Sequence, residues 1–297
     1  MSASISPVSS ATPEPTVLIT GASTGIGAAC ALHLDQAGFR VFAGVRKEGD
    51  GTALRSLASA RLRTLRIDVT DQASIDAARS EVGDAVGAAG LDGLVNNAGI
   101  AVAGPLEAMP LDALRWQLEV NLIGQIAVTQ AFLPLIRTAR GRIVNMGSIA
   151  GRAVTPFLGP YSASKFALEA VTDALRIELA PWGIGVSIIE PGAIATPIWT
   201  KSTAYATELQ ERMAPGAPAL YQEQLLRFGK TIMKVAERAA PVELVNRAVE
   251  HALSARRPRT RYLVGRDAHI QRLMGILLPD RVRDRLIQRL LRLVRQA

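Results

Sequence analysis

The chain of 297 residues contains few cysteine, histidine and aromatic residues, and the scarcity of each argues against one class of site. Its one cysteine, Cys30, excludes an internal disulfide. The histidines His33, His251 and His269 are scattered and lack partners at zinc-ligand spacing, so the sequence predicts no metal site. No run reaches the ~20 uninterrupted apolar residues that cross a bilayer. We therefore expect a cytoplasmic protein, or one peripheral to a membrane.

Acidic residues are scarce in the C-terminal region. Between Arg256 and Ala297 there are 12 Arg and 3 Asp, so this region carries more than the net charge of +8 of the whole chain. The apolar side of a predicted helix here holds Val282, Leu286, Leu290, Leu293 and Val294, and the opposite side holds Arg281, Arg285, Arg289, Arg292 and Arg295. Such a basic amphipathic helix either lies on an anionic membrane or packs its leucines on the protein or on another subunit. Nucleic-acid binding is not expected, because no aromatic platform accompanies the arginines.

Short apolar runs alternate with helical segments along the chain. We expect strands at 16–20, 40–45, 62–67, 91–95, 141–147, 183–189 and 260–264. We expect helices near 25–37, 71–89, 111–139 and 161–181. This alternation predicts an α/β fold, with a doubly wound parallel sheet of seven strands and helices on both faces. Residues 1–15 are expected to be a disordered lead-in, 16–265 a single domain and 266–297 a C-terminal helical extension.

A glycine-rich turn joins the first strand to the first helix. Gly21, Gly25 and Gly27 have the spacing Gly-x-x-x-Gly-x-Gly, and an alanine-rich helical stretch follows them. Glycine lets the backbone approach a pyrophosphate, and the N-terminus of a helix favours an anion. The turn therefore predicts a phosphate-binding site, although an ordinary tight turn would have the same glycines.

Tyr161 and Lys165 are four residues apart in a predicted helix, so both side chains lie on one face. A tyrosine with its ordinary pKa of ~10 is a poor base at neutral pH, but a neighbouring ammonium group favours the phenolate. The pair therefore indicates a proton-transfer group. The spacing alone is equally compatible with a half-buried tyrosine beside a solvated lysine.

Residues 16–265 resemble the short-chain dehydrogenase/reductase family, because they contain both the glycine turn and the Tyr161–Lys165 pair downstream of it. Asn96-Asn97-Ala98-Gly99 matches an element that steadies the central sheet in that family, and Asn121 and Ser148 match its catalytic asparagine and serine. The resemblance implies a Rossmann-like fold and hydride transfer between a nicotinamide and an alcohol or carbonyl. It also implies a homodimer or homotetramer, joined through helices near 111–139 and 161–181.

The same resemblance implies a nucleotide site along the carboxyl ends of the strands. Pro191-Gly192 and Thr196 match the segment that borders the nicotinamide, and Asp68 falls where the family contacts adenine. Asp68 could instead cap a helix. The cofactor-binding residues implied are Gly21, Ser23, Thr24, Gly25, Ile26, Gly27, Arg46, Asp68, Val69, Asn97, Ala98, Gly99, Tyr161, Lys165, Pro191, Gly192, Ile194 and Thr196.

Each catalytic residue has a role that the resemblance implies. Tyr161 exchanges a proton with the substrate oxygen, and Ser148 hydrogen-bonds that oxygen. Lys165 lowers the pKa of Tyr161 and holds the nicotinamide ribose. Asn121 anchors a water chain that carries the proton to solvent.

The end of the second strand bears on the choice between NADP and NAD. Val45 occupies the position where an aspartate would bind both ribose hydroxyls of NAD, and Arg46 follows it. An arginine can form a charge-assisted pair with the 2′-phosphate of NADP, with help from Lys47. The sequence therefore favours NADP over NAD, although a solvated basic loop is the alternative.

Residues 197–240 form a predicted insertion that is rich in apolar side chains, which indicates a lid over a large apolar ligand. Residues 189–199 also resemble family members that act on steroids, retinoids and other lipophilic alcohols. We expect the substrate to contact Ser148, Val154, Phe157 and Trp199. The apolar side chains could instead pack on the core or on another subunit.

The sequence thus predicts an NAD(P)(H)-dependent oxidoreductase for a lipophilic alcohol or its carbonyl. One alternative is a reductase of 3-oxoacyl thioesters, whose acidic partner would bind the basic C-terminal region. The alternative from another class is a redox-silent nucleotide-binding scaffold. The complete set of Asn121, Ser148, Tyr161 and Lys165 argues against the scaffold.

Overall fold

Seven parallel strands form one sheet in a computed structural model that describes residues 14–213 and 216–290. The strands are β1 (Thr16–Ile19), β2 (Arg40–Val45), β3 (Leu62–Arg66), β4 (Gly93–Asn96), β5 (Arg142–Met146), β6 (Gly185–Pro191) and β7 (Arg261–Val264). Their order is β3-β2-β1-β4-β5-β6-β7. The doubly wound parallel sheet predicted from the sequence is therefore confirmed. Residues 1–13 of the predicted lead-in lie outside the described residues.

Helices connect the strands and cover both faces of the sheet. Those of the described residues are α1 (Gly25–Gln36), α2 (Glu48–Arg55), α3 (Gln72–Val86), α4 (Leu111–Leu118), α5 (Gly124–Ala139), α6 (Gly159–Glu178), α7 (Ile198–Glu211), α8 (Ala217–Glu237), α9 (Glu243–Ser254), α10 (Arg266–Leu277) and α11 (Asp280–Leu290). Helices α7 and α8 occupy the predicted insertion. Leu278 and Pro279 separate α10 from α11, because proline cannot continue the hydrogen-bonding pattern of a helix.

Two apolar cores lie on opposite faces of the sheet, because neighbouring residues of a strand point to opposite sides. On one face Val17 packs in a cluster with Val249 of α9, and on the other Leu18 packs in a cluster with Phe132 of α5. By length and composition, the stretch Leu111–Ala139 could also cross a membrane. Phe132 within it is fully buried in the second core, so we interpret this stretch as a core helix.

Candidate active site

The glycine turn between β1 and α1 brings backbone groups to the carboxyl edge of the sheet. Gly21 and Gly25 have φ values of 67° and 62°, in the left-handed region that favours glycine. A Cβ atom on Gly21 would lie 2.7 Å from Cα of Ala98, and one on Gly27 would lie 2.3 Å from the carbonyl oxygen of Gly21. The turn therefore tolerates no side chain at Gly21 or Gly27. It leads directly into the N-terminus of α1.

Asn97 fastens this turn to the end of β4. Its Nδ2 donates hydrogen bonds to the carbonyl oxygens of Thr20 and Gly21, at 3.0 and 3.1 Å. The hydroxyl of Thr20 accepts from the backbone N–H groups of Asn97 and Ala98, at 3.0 and 3.1 Å. Residues far apart in the sequence thus fix the shape of the phosphate-binding turn.

The ends of β2 and β3 present one basic and one acidic side chain to the same cleft. Arg46 is exposed, while the preceding Val45 is buried in the protein. Asp68 accepts hydrogen bonds from the backbone N–H and the hydroxyl of Thr70, at 3.0 and 2.8 Å. Its carboxylate therefore shapes its own loop in addition to lining the cleft.

Asn121 lies in a π-helical turn, Glu119–Ile123, that separates α4 from α5. The helix predicted near 111–139 is present as Leu111–Ala139, and this turn lies within it. Asn121 is fully buried, and its side chain accepts from N–H of Ile100 at 2.8 Å and donates to the carbonyl of Ile100 at 2.9 Å. Its Nδ2 also lies 3.2 Å from Oγ of Ser164, which donates to the carbonyl oxygen of Tyr161 at 2.7 Å. Asn121 is thereby connected to the helix that carries Tyr161.

Tyr161 lies in the first turns of α6 and its phenol group is hydrogen-bonded to Ser148, just after β5. Ser148 also accepts from the N–H of Ala150 at 3.1 Å, which fixes the serine at the start of a short turn. Burial raises the pKa of Tyr161, and the hydrogen bond with Ser148 offsets only part of that effect. The sequence predicted a lowered pKa, so the direction is the reverse of the expected one.

Lys165 is buried one turn after Tyr161. Its Nζ donates to the carbonyl oxygen of Met146 at 2.7 Å and lies 5.8 Å from the centre of the Tyr161 ring. Burial lowers the pKa of Lys165 to about 8, although the charge of Glu169 acts in the opposite direction. The lysine is therefore mostly charged at neutral pH and close to losing its proton.

Asp267, which the sequence interpretation missed, holds the loop after β6. Its carboxylate accepts from the N–H of Ala193 at 2.7 Å and lies 2.2 Å from where a Cβ atom on Gly192 would be. The glycine is therefore required for the contact with α10. No local sequence pattern connects the two segments, because Asp267 follows Ala193 by 74 positions.

One cavity of about 1500 Å³ connects these groups. It extends from the glycine turn past Asn121, Ser148, Tyr161 and Lys165 to the Pro191–Gly192 loop, and Thr196 lines it too. Of the predicted cofactor-binding residues, only Gly27 does not line this cavity, because it closes on the carbonyl of Gly21 instead. The sequence-predicted nucleotide and catalytic residues are thus brought together.

Helix α8 lines the cavity with apolar side chains and with polar ones such as Lys230 and Lys234. Leu225, Phe228 and Ile232 line it, and Phe157 packs edge-on against Phe228 with ring centres 5.4 Å apart. Phe157 has a φ of 66°, a conformation that costs energy for a non-glycine residue and occurs often at functional sites.

The predicted substrate contacts divide into three groups. Ser148 and Phe157 line the cavity. Val154, in the loop before α6, is 52% exposed and does not line the cavity, and its contact with a substrate stays a prediction. The side chain of Trp199 lies outside the described residues.

The residues present fit a nicotinamide dinucleotide. Gly21 and Gly25 carry no side chain, so the backbone beside the N-terminus of α1 is accessible to a pyrophosphate, which this helix end favours. Lys165 lines the same cavity and carries a charged amine. The described residues contain no group of three or more His, Cys, Asp or Glu side chains that could hold a metal ion.

Comparison with known proteins identifies the family. The sequence profile of the family described as short chain dehydrogenase matches residues 15–206. The chain belongs to the short-chain dehydrogenase family. This confirms the resemblance inferred from its motifs, and the protein is accordingly an NAD(P)-dependent oxidoreductase that acts on a CH–OH group or its carbonyl.

Three curated relatives of this short-chain dehydrogenase match almost its whole length. Retinol dehydrogenase 5 of Mus musculus is 42% identical over 277 residues, which cover 90% of this chain and 86% of that protein. The 17-beta-hydroxysteroid dehydrogenase type 6 of Bos taurus is 39% identical, with coverage of 92% and 87%. The NADPH-dependent 3-dehydrocapnine reductase of Ornithobacterium rhinotracheale is 35% identical, with coverage of 91% and 94%.

Solved structures of other short-chain dehydrogenases have the same fold. One from Streptomyces avermitilis superposes with a TM-score of 0.75 at 28% identity, covering 94% of this chain and 96% of that one. Another, from Burkholderia cenocepacia in complex with NADP, gives a TM-score of 0.71 at 26% identity, covering 92% and 97%.

Proposed function

We propose that this short-chain dehydrogenase interconverts a lipophilic alcohol and its carbonyl, with NADP preferred over NAD. The observation that carries the proposal is the cavity of about 1500 Å³. Asn121, Ser148, Tyr161 and Lys165 line it, and so do several apolar side chains of α8. Reaction and recognition of an apolar substrate can therefore take place in one connected space.

Tyr161 is the proposed acid and base. Because burial raises the pKa of its phenol, Tyr161 is protonated at neutral pH and can donate that proton to a carbonyl oxygen. Ser148, hydrogen-bonded to the phenol, stabilises the negative charge that develops on the same oxygen. In the oxidation direction the proton returns to Tyr161. A bound nicotinamide supplies or accepts the hydride.

Lys165 and Asn121 support this proton transfer. The Lys165 ammonium, close to the Tyr161 ring, stabilises the phenolate that remains after the proton has left. It would also hold the nicotinamide ribose. Asn121 connects the backbone of Ile100 to α6 through its hydrogen bonds. It would also anchor the water chain that returns a proton to Tyr161.

The lipophilic substrate and the NADP preference have separate support. Leu225, Phe228 and Ile232 offer apolar surface, and two of the relatives are named for retinol and for a hydroxysteroid. Arg46 lines the cavity at the end of β2, where it can pair with a 2′-phosphate. One relative is named as NADPH-dependent and one solved short-chain dehydrogenase contains NADP.

The test is nicotinamide absorbance with NADPH and NADH against steroid, retinoid, aliphatic and 3-oxoacyl thioester carbonyls. We expect oxidation of NADPH with the apolar carbonyls. Tyr161→Phe should lower kcat by about 10²–10⁴-fold, the usual contribution of acid–base catalysis, while NADPH still binds. Tyr262→Phe, which removes a phenol outside the cavity, is the matched control. Preference for the thioesters would favour the alternative reductase, and nicotinamide turnover unchanged in Tyr161→Phe would overturn the mechanism.

We also propose that α10 and α11 contact the surface of a membrane. Their exposed apolar residues are Ile270, Leu273, Ile276, Leu277, Val282 and Leu286. Arginines accompany them, as the sequence of the amphipathic helix predicted, but the side chain of Leu290 and residues 291–297 lie outside the described part. Gln271 of α10 lines the cavity, so this surface borders the space that would take a lipophilic substrate.

The homodimer or homotetramer stays a prediction, as does the cytoplasmic location. Phe166 and Ile177 of α6 are 43% and 67% exposed, and an apolar helix surface of this kind suits a second copy of the chain. Light scattering after size-exclusion chromatography should therefore give at least twice the mass of the monomer.

A further inference from the structure

Two buried carboxyl groups lie behind Lys165 and contact the same two arginines. Glu169 of α6 is 5% exposed and Glu190 of β6 is 1% exposed. Arg152 lies 2.7 Å from Oε2 of Glu169 and 3.5 Å from Oε1 of Glu190. Arg261 of β7 lies 2.8 Å and 3.7 Å from the same two oxygens. Such close packing of like-charged groups away from water favours retention of a proton.

The hydrogen bonds in this cluster are incomplete if both carboxyl groups are ionised. Oε1 of Glu169 and Oε1 of Glu190 are buried and have no hydrogen-bond partner among the described residues. An ionised carboxylate can only accept, whereas a protonated one can also donate to its neighbour. Burial, together with the neighbouring charge of Glu190, raises the pKa of Glu169 to about 7.

The cluster is packed directly against the lysine of the active site. Glu169 follows Lys165 by one helical turn, and the turn after Ser148 lies against both. A Cβ atom on Gly151 in that turn would lie 2.9 Å from the carbonyl oxygen of Lys165 and 3.2 Å from Cγ of Glu169. The charge of Glu169 raises the pKa of Lys165 against the opposing effect of burial.

We propose that Glu169 is a positioning residue for Lys165: protonated, it donates a hydrogen bond to Glu190, and ionised, its charge holds Lys165 as an ammonium ion. This rests on the proposed function, in which the ammonium supports proton transfer at Tyr161. The charged groups facing Glu169 are Lys165 and Asp173 of α6, Arg152 of the turn after β5, Glu190 of β6 and Arg261 of β7.

The direction of the pH effect follows from the sign of the charge. Lys165 is charged below its pKa of about 8 and loses that charge as the pH rises. Glu169→Gln removes the negative charge that favours the ammonium ion, so the lysine should lose its proton at lower pH. The kcat/KM for carbonyl reduction should fall at high pH, and we call this fall the basic limb of the pH profile. In Glu169→Gln the basic limb should lie at a pH lower by roughly one unit.

Two matched variants separate this effect from a loss of structure. Glu169→Asp retains the charge and should return the basic limb to the position of the wild type, even if the protein melts at a lower temperature. Asp173→Asn removes a carboxylate that binds the same Arg261 but lies one turn further from Lys165, and should not move the limb. An unmoved limb in Glu169→Gln, or an equal shift in Asp173→Asn, would overturn the proposal.

Infrared difference spectra test the proton itself, and on the wild-type protein they need no activity. Spectra across neutral pH should show a buried carboxyl group losing its proton near pH 7. With Glu190→Gln the loss should occur at lower pH, because the neighbouring charge is gone. If the carboxyl band appears but no carbonyl is reduced, the proposed function fails while the proton on Glu169 stands. Absence of the band in an active enzyme refutes the protonated Glu169.

Discussion

Tyr161 and Lys165 depend on their surroundings more than on their spacing. A separation of four positions along a helix predicted that the two would lie together, and both line one cavity, but the spacing gives neither the burial of the phenol nor its distance to the amine. The Lys165 Nζ is bonded to the carbonyl of Met146 and lies 5.8 Å from the ring centre. Burial raises the pKa of Tyr161, and the hydrogen bond with Ser148 offsets only part of that effect. These quantities depend on the tertiary fold.

The depressed pKa of Lys165 predicts how the activity depends on pH. Its ammonium form predominates below about pH 8 and is lost as the pH rises through that value. Carbonyl reduction should therefore be constant through neutral pH and fall above about pH 8. Stopped-flow kcat/KM for NADPH oxidation as a function of pH measures this. Lys165→Met should remove the basic limb together with most of the activity, and a limb that persists in that variant would contradict the assignment.

Arg46 provides a second test at the level of one residue. Its exposed guanidinium at the end of β2 can pair with a 2′-phosphate, whereas an aspartate there would repel it. Arg46→Asp should shift the ratio of kcat/KM for NADPH over NADH toward NADH by about 10–100-fold, as expected for loss of a charge-assisted hydrogen bond. Arg63→Asp, with the same charge change on β3, is the control. An unaltered ratio in Arg46→Asp would refute the role of Arg46.

Among the elements, those with local signals were predictable and those set by distant contacts were not. The apolar run at 40–45 coincides with β2, because a buried parallel strand needs such residues along its whole length. The π-helical turn Glu119–Ile123 left no signal, since its sequence continues the helical pattern around it. What accompanies the turn is the pair of hydrogen bonds between Asn121 and the backbone of Ile100. Such a contact appears only when α5 and the β4 loop are packed together.

Helix α10 acts on the active site through Asp267. Asp267→Ala would leave the N–H of Ala193 without its acceptor, so we expect the free energy of unfolding to fall by about 1–3 kcal/mol. The KM for NADPH should rise as well, because the Pro191–Gly192 loop lines the cavity. Urea denaturation and steady-state kinetics measure the two effects. Asp280→Ala, at the exposed start of α11, should change neither, and equal losses in the two variants would contradict this role.

For the whole molecule, charge and apolar surface are concentrated at the C-terminal end. The apolar residues exposed on α10 and α11 lie among arginines, which suits an anionic lipid surface. The full-length protein should float with anionic liposomes in a density gradient and remain at the bottom with zwitterionic ones. Protein truncated before Asp280 should float less. If the full-length protein does not float with anionic lipid, the membrane proposal is wrong.

The contact between Asp267 and the loop after β6 has a consequence for the order in which the protein is made. During synthesis, the last of the catalytic side chains is added with residue 165. The loop that would border the nicotinamide is held in part by the carboxylate of Asp267, which follows Ala193 by 74 positions. A nascent chain arrested between these points would carry every reacting group and still lack a fixed cofactor site. The short-chain dehydrogenase would thus stay inactive until all seven strands of its sheet had been translated.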